Sequence, residues 1–283
     1  MITLPREFEK AHRMLNALLL TYLVTCLAFT GIWLINVMTK NAGVIDYYWG
    51  PGFAVIGGIH LWLRGDATVY EIILVAAITI WAFRLAQHLV RRHHASHGED
   101  GRYAEMRANG GPNFWWVSLF TIFLLQATLL WLIAAPVHVA FGHGVDVNAA
   151  LFGFGLAVFG FGFLLEWIAD YQLATGKEDI PSEDRAGAMF TSGLWGISRH
   201  PNYVGEMILW WGLAIGAFAM SGNPIALAGP LLLCTVMIAI SIPLTEQHMV
   251  RTRPSYTEYQ KRVPMLFSLG GQAPRGSTAR ETR

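Results

Sequence analysis

A chain of 283 residues that is 54% hydrophobic and only 14% charged is too apolar for a soluble domain, where about a quarter of residues are charged. Its formal net charge of +1 lacks the basic excess that nucleic acid attracts, so no nucleic-acid partner is expected. A mean hydropathy of +0.40 points to lipid as the solvent for much of the chain.

About 20 mostly apolar residues are needed to cross a bilayer as a helix. In chain order, such runs cover residues 14–38, 70–90, 114–141, 149–171, 203–221 and 224–244. A weaker run, 45–63, contains Asp46, several glycines and His60. Counting it predicts about seven transmembrane helices, because lipid cannot satisfy a backbone that is not helical. The expectation is a polytopic all-α membrane protein, with a single domain over residues 1–265 and a polar tail over 266–283. The tail has the composition of disorder. Glu7, Glu9 and Pro5 do not read as a cleavable signal, and Cys26 and Cys234, both in apolar runs, imply no disulfide framework.

Basic residues predict the orientation. Fifteen lysines and arginines fall after the first, third, fifth and seventh runs, against four (Arg6, Lys10, Arg13, Arg64) on the other side. Positive charge stays in the cytoplasm, so the C-terminus is expected inside and the N-terminus outside.

Polar residues within the runs gather on that basic side, and each is a candidate site residue because burying charge in lipid is costly. Arg84, His88 and Arg91 share a helix face by their spacing, as do Glu166 and Asp170. Two such carboxylates repel unless a cation or a hydrogen-bonding ligand joins them; the plainer reading is a structural pairing with Arg84 or Lys177. The stretch "GISRHPNYVGEMILWWG", residues 196–212, begins as a loop and becomes an apolar helix. Pro201 suits the first helical turn. Arg199 and His200 stand beside the first free N–H groups, an arrangement that can hold an anion, while Asn202 and Glu206 carry polarity inward and Trp210 continues as an aromatic wall. Further on, "GEDGRYAEMR" at 98–107 reads as a solvated loop or a site segment. Glu246 and Arg253, two turns apart in a polar helix, could face the same cytoplasmic pocket, and the basic residues around them could hold anionic lipid headgroups. His93, His94 and His97 lack a second ligand cluster at metal-binding spacing, and neither HExxH nor CxxC occurs, so no metal is expected.

"GLWGISRHPNYVGEMILWWG", with "EDGRY" and the late "E…R…Y…Y…RVP", resembles the steroid 5-alpha-reductase C-terminal-domain superfamily, in particular its bacterial members. The resemblance runs from about Arg84 to Pro264. The RHPxY portion is shared with isoprenylcysteine and phospholipid methyltransferases of related fold. The resemblance implies a seven-helix reductase of the bacterial inner membrane, with NADPH held at the cytoplasmic ends of the later helices. It implies that Arg84, His88, Arg102, Glu166, Asp170, Lys177, Arg199, Asn202, Tyr203, Glu206, Glu246 and Arg253 bind the cofactor. Glu166 stands where reductases carry asparagine, and Glu246 stands near a position that is histidine in animal members.

The implied reaction moves hydride from the nicotinamide to the β-carbon of a lipophilic enone such as a 3-oxo-4-ene steroid. The carbonyl oxygen then needs a hydrogen-bond donor in a dry pocket. Animal members use a tyrosine and a glutamate; here the tyrosine position, one turn before Arg84, is Trp81, and Asp46 with Tyr48 (or Tyr47) is the substitute catalytic pair. His60 is a further candidate donor, although a lone membrane histidine is more often a satisfied core residue. The alternative expectation is an S-adenosylmethionine-dependent methyltransferase of a prenylated or lipid substrate. A third is a lipid-binding membrane protein that kept the fold without the chemistry.

Overall fold

The computed structural model describes residues 6–96, 99–142, 146–178 and 189–267, and among these the regular structure is helical throughout. Helix α1 spans Arg6–Thr39, α2 Asp46–Arg64, α3 Val69–Ser96 and the short α4 Gly101–Gly110. A continuous run then comprises α5 (Phe114–Ser118), a wider π-type stretch (Leu119–Leu124) and α6 (Leu125–Ile133), and Pro136 near the start of α7 (Ala135–Ala140) breaks it. Helix α8 spans Ala149–Glu178 and α9 Pro201–Ser221. The last long run is α10 (Ala228–Val236), a π-type stretch (Met237–Ser241) and α11 (Ile242–Thr252), with α12 (Tyr256–Arg262) lying beyond it. Pro243 lies in the first turn of α11, two residues after that second π-type stretch, where a widened turn accommodates the missing proline N–H.

Among the described residues, six helical stretches are long and apolar enough to cross a membrane: Ala11–Thr39, Val69–Arg92, Gly101–Ile133, Ala149–Gly176, Pro201–Ser221 and Pro224–Thr252. Their outer faces expose rows of large apolar residues, among them Leu15, Leu19, Leu23 and Leu27 on α1 and Phe154, Phe161 and Leu164 on α8. Soluble proteins do not leave such faces bare, so the integral-membrane expectation holds. The seventh expected run forms α2, a 19-residue helix. It falls short of the six in apolarity because it opens on Asp46, closes on Arg64 and carries His60 and four glycines between. The tail beyond residue 267 lies outside the described residues.

Glycines set the closest approach in the bundle. On α9, a Cβ at Gly212 would lie 2.3 Å from the Phe159 backbone N, and one at Gly205 would lie 2.5 Å from the Glu166 N. On α8, a Cβ at Gly162 would lie 2.4 Å from the Leu209 N, and one at Gly155 2.6 Å from the Gly216 N. Each helix thus offers glycines two turns apart, and the antiparallel backbones touch along most of their length. This contact puts Glu166 and Asp170 beside the first turns of α9. Phe53 from α2, Trp81 from α3 and Trp210 from α9 close the interior between them, all fully buried.

Candidate functional site

Three groups of polar side chains meet at one end of the bundle. Arg84 is the centre of the first. Its Nη1 donates to Glu166 Oε1 at 2.6 Å, and its Nη2 donates to Asp170 Oδ2 at 2.6 Å and to the Glu166 carbonyl at 3.2 Å. Trp81 Nε1 donates to Glu166 Oε2 at 2.9 Å, and Asn202 Nδ2 donates to Asp170 Oδ1 at 3.2 Å. His88 Nε2 stands 3.7 Å from Asp170 Oδ2, whereas Arg91 points outward and is exposed. The plainer reading of the two carboxylates, a pairing with Arg84, is what the helices build. Trp81 spends its N–H on Glu166.

Glu206 and Trp210 are different. Both are buried one turn apart on α9, yet Glu206 Oε1 and Trp210 Nε1 have no hydrogen-bond partner among the described residues. The Trp210 ring packs on Phe53 at 4.5 Å and on Trp81 at 5.8 Å, and Glu206 lies beside the Trp49 indole. A buried polar group left unpaired costs roughly 1–3 kcal/mol. An acceptor and a donor left unmet on one helix face can be satisfied by ordered water or by a bound group.

Glu246 centres the second group. It accepts from Arg199 Nε at 2.7 Å and Nη2 at 3.2 Å, from His200 Nε2 at 2.9 Å and from Gln260 Nε2 at 2.8 Å. Arg199 Nη1 also donates to the carbonyls of Val263 at 2.7 Å and Gln260 at 3.1 Å. Arg199 and His200 therefore face α11 and the C-terminal segment, and not an anion at the mouth of α9 as their sequence position suggested. Tyr203 stacks on His200 with ring centroids 5.4 Å apart. Arg253 does not share this pocket through Glu246; it donates to Met189 Sδ at 3.7 Å.

Asp46 anchors the third. Tyr103 Oη donates to its Oδ1 at 2.9 Å, and Arg102 Nη2 lies 3.7 Å from its Oδ2. Tyr48, the expected partner, is two residues away on a helix and so points elsewhere; its ring meets Phe29 edge-on at 5.5 Å. The tyrosine that joins Asp46 comes from "EDGRY". The same segment ties itself down. Glu99 takes Arg107 Nη2 at 2.8 Å and the Ala42 N–H at 2.6 Å, while Asp100 takes the Arg102 N–H at 3.0 Å and Nε at 2.9 Å.

Burial pushes the Asp100 carboxyl up, but the Arg102 bonds outweigh it and hold it below the ordinary carboxylate range. A depressed folded-state pKa gives stability that is present above the unfolded-state pKa and lost as pH falls through the folded one. The stability gap between wild type and Asp100→Asn should therefore be widest near neutral pH and begin to close only as pH falls below about 4. Thermal unfolding across that range measures it.

His60 Nε2 and His138 Nδ1 share a hydrogen bond at 2.9 Å, and His138 Nε2 donates to the Trp131 carbonyl at 3.0 Å. His60 is thus a satisfied core histidine, far along α2 from Asp46. The Lys177 side chain and Arg185 lie outside the described residues. Among the described residues no three His, Cys, Asp or Glu side chains gather as a metal site.

A family model described as "Protein of unknown function (DUF1295)" matches residues 32–263. An uncharacterized protein of Schizosaccharomyces pombe is 26% identical over 268 residues, which covers 83% of this chain and 75% of the yeast protein. No solved structure matches.

Proposed function

We propose that this chain, which belongs to the DUF1295 family, is a membrane oxidoreductase that reduces the C=C bond of a lipophilic enone with NADPH. The carrying observation is the orphaned pair on α9, Glu206 Oε1 and Trp210 Nε1. A primary carboxamide presents one N–H donor and one C=O acceptor side by side, and so suits both atoms at once. The residues present therefore fit a nicotinamide, which when bound supplies a hydride.

The chain's own side chains divide the remaining work. Glu206 would accept from the carboxamide and Trp210 would donate to it, fixing the ring's orientation against the buried aromatic wall. Asn202 and Asp170, already bonded to one another, would meet ribose hydroxyls. Arg102, now bonded to Asp100, and Arg253 are guanidinium groups that a phosphate would recruit. Tyr103, backed by Asp46, takes the place expected of Tyr48 as a hydroxyl near the site. The resemblance of the "GLWGISRHPNYVGEMILWWG" and "EDGRY" segments to steroid 5-alpha-reductases supports a 3-oxo-4-ene steroid or a similar enone as substrate. Such a molecule would reach the interior from lipid, and the charged cofactor would enter from the basic, cytoplasmic side of a bacterial inner membrane.

The test is thermal unfolding of the detergent-purified chain with NADPH, NADH and S-adenosylmethionine in parallel. A ligand of the folded state at a hundred times its Kd adds about 2.7 kcal/mol of apparent stability. NADPH should raise the Tm, and Glu206→Ala and Trp210→Phe should each weaken the rise. Stabilisation by S-adenosylmethionine alone would overturn the reading in favour of a methyltransferase.

A further inference from the structure

The interior around Glu206 is acidic for a site buried in a membrane protein. Glu166, Asp170 and Glu206 are 2%, 3% and 7% exposed. One guanidinium, that of Arg84, touches the first two, and no cation among the described residues pairs with the third. Residue 205 lies directly against the Glu166 backbone, so Glu166 and Glu206 sit on touching turns of α8 and α9. Beside them pack the indole and phenyl rings of Trp81, Trp210 and Phe53, within 4.5–5.9 Å of one another. Aromatic faces attract cations, and carboxylates shielded from water act strongly on a charge placed between them.

We propose that this site holds the oxidised cofactor, whose ring is a cation, more tightly than the reduced one, whose ring is neutral. The inference rests on the reductase reading above. When a hydride leaves C4 with both bonding electrons, the ring gains one positive charge; the substrate's β-carbon takes the hydride, and a proton from solvent completes the product. Carboxylates and ring faces already in place favour the side of that exchange with the cationic ring. Bound NADPH is thereby a stronger hydride donor than NADPH in water. The ribose and phosphate groups are common to both forms, so their binding energy cancels in the ratio of the two affinities. Glu166 acts as a positioning and electrostatic residue, since its own bonds go to Trp81 and Arg84.

Equilibrium titration of the purified full chain with NADP+ and with NADPH tests this without any substrate. NADP+ should bind about tenfold more tightly than NADPH, the scale of one nearby charge partly screened. Glu206→Gln and Glu166→Gln keep the shape and remove one charge each, and each should narrow the ratio several-fold, chiefly by weakening NADP+. Equal or tighter NADPH binding in the wild type overturns the proposal, as does an unchanged ratio in Glu206→Gln. Should Glu166→Gln fail to fold after losing its bond to Arg84, Glu206→Gln decides alone. Binding of neither form would instead sink the reductase reading beneath it.

Discussion

Gly212→Ala should destabilise the protein by about 3 kcal/mol, the upper range for overpacking a filled interior. The added carbon would sit 2.3 Å from the Phe159 N and 2.7 Å from the Gly155 O. Those are backbone atoms of a neighbouring helix, so no side chain can swing away, and α8 and α9 must separate along their whole contact. The control lies on the outer face of α8. A methyl group added at Gly153 or Gly160 would meet nothing within 4 Å, and alanine there should be neutral or stabilising by up to about 1 kcal/mol through helix propensity. Thermal unfolding in one detergent compares all three. If Gly212→Ala unfolds with the wild type, the backbones are not in contact as described.

Arg84→Ala comes next in size. It would leave Glu166 and Asp170, each nearly buried, without the cation that bonds to both. Breaking a buried pair from one side costs about 3–5 kcal/mol, because the abandoned charge remains. Arg84→Lys should recover only part of the loss, since an ammonium is a point charge and the planar guanidinium reaches two carboxylates in fixed directions. Adding Glu166→Gln and Asp170→Asn to Arg84→Ala should restore much of the stability by removing the stranded charges. Failure of that triple variant to recover, measured by thermal unfolding, would mean Arg84 matters through packing alone.

The fold could be read well where one physical cause acts locally. Long apolar runs gave the membrane helices, and Pro201 marked the start of α9. The Arg84–His88 and Glu166–Asp170 faces were legible from helical spacing, and they do meet at Asp170. What could not be read were partners brought in from distant parts of the chain. Glu246 and Arg253 looked like companions by periodicity, but α11 ends at Thr252, and Glu246 is claimed by Arg199, His200 and Gln260. Asp46 had two tyrosines close in sequence, and the one it bonds lies 57 positions on. The α8–α9 glycines carried a signal, two glycines two turns apart on each helix, that hydropathy counting passes over. The orphaned Trp210 N–H had no signal in sequence at all, since an unmet donor is a property of surroundings.

The stitching of Arg199 to residues near the C-terminus has a consequence for how the molecule is made. Arg199 bonds to Glu246 and to the carbonyls of Gln260 and Val263, and its own N–H donates to the Pro264 carbonyl at 3.0 Å. Tyr259 Oη reaches the Trp195 carbonyl as well. During synthesis, α9 leaves the ribosome before those C-terminal partners do. Its leading turn, with Asn202 and Glu206, must wait unclasped until the end of the polypeptide emerges. A chain truncated before Glu246 would therefore keep the apolar run of α9 but lack every one of the bonds that hold Arg199.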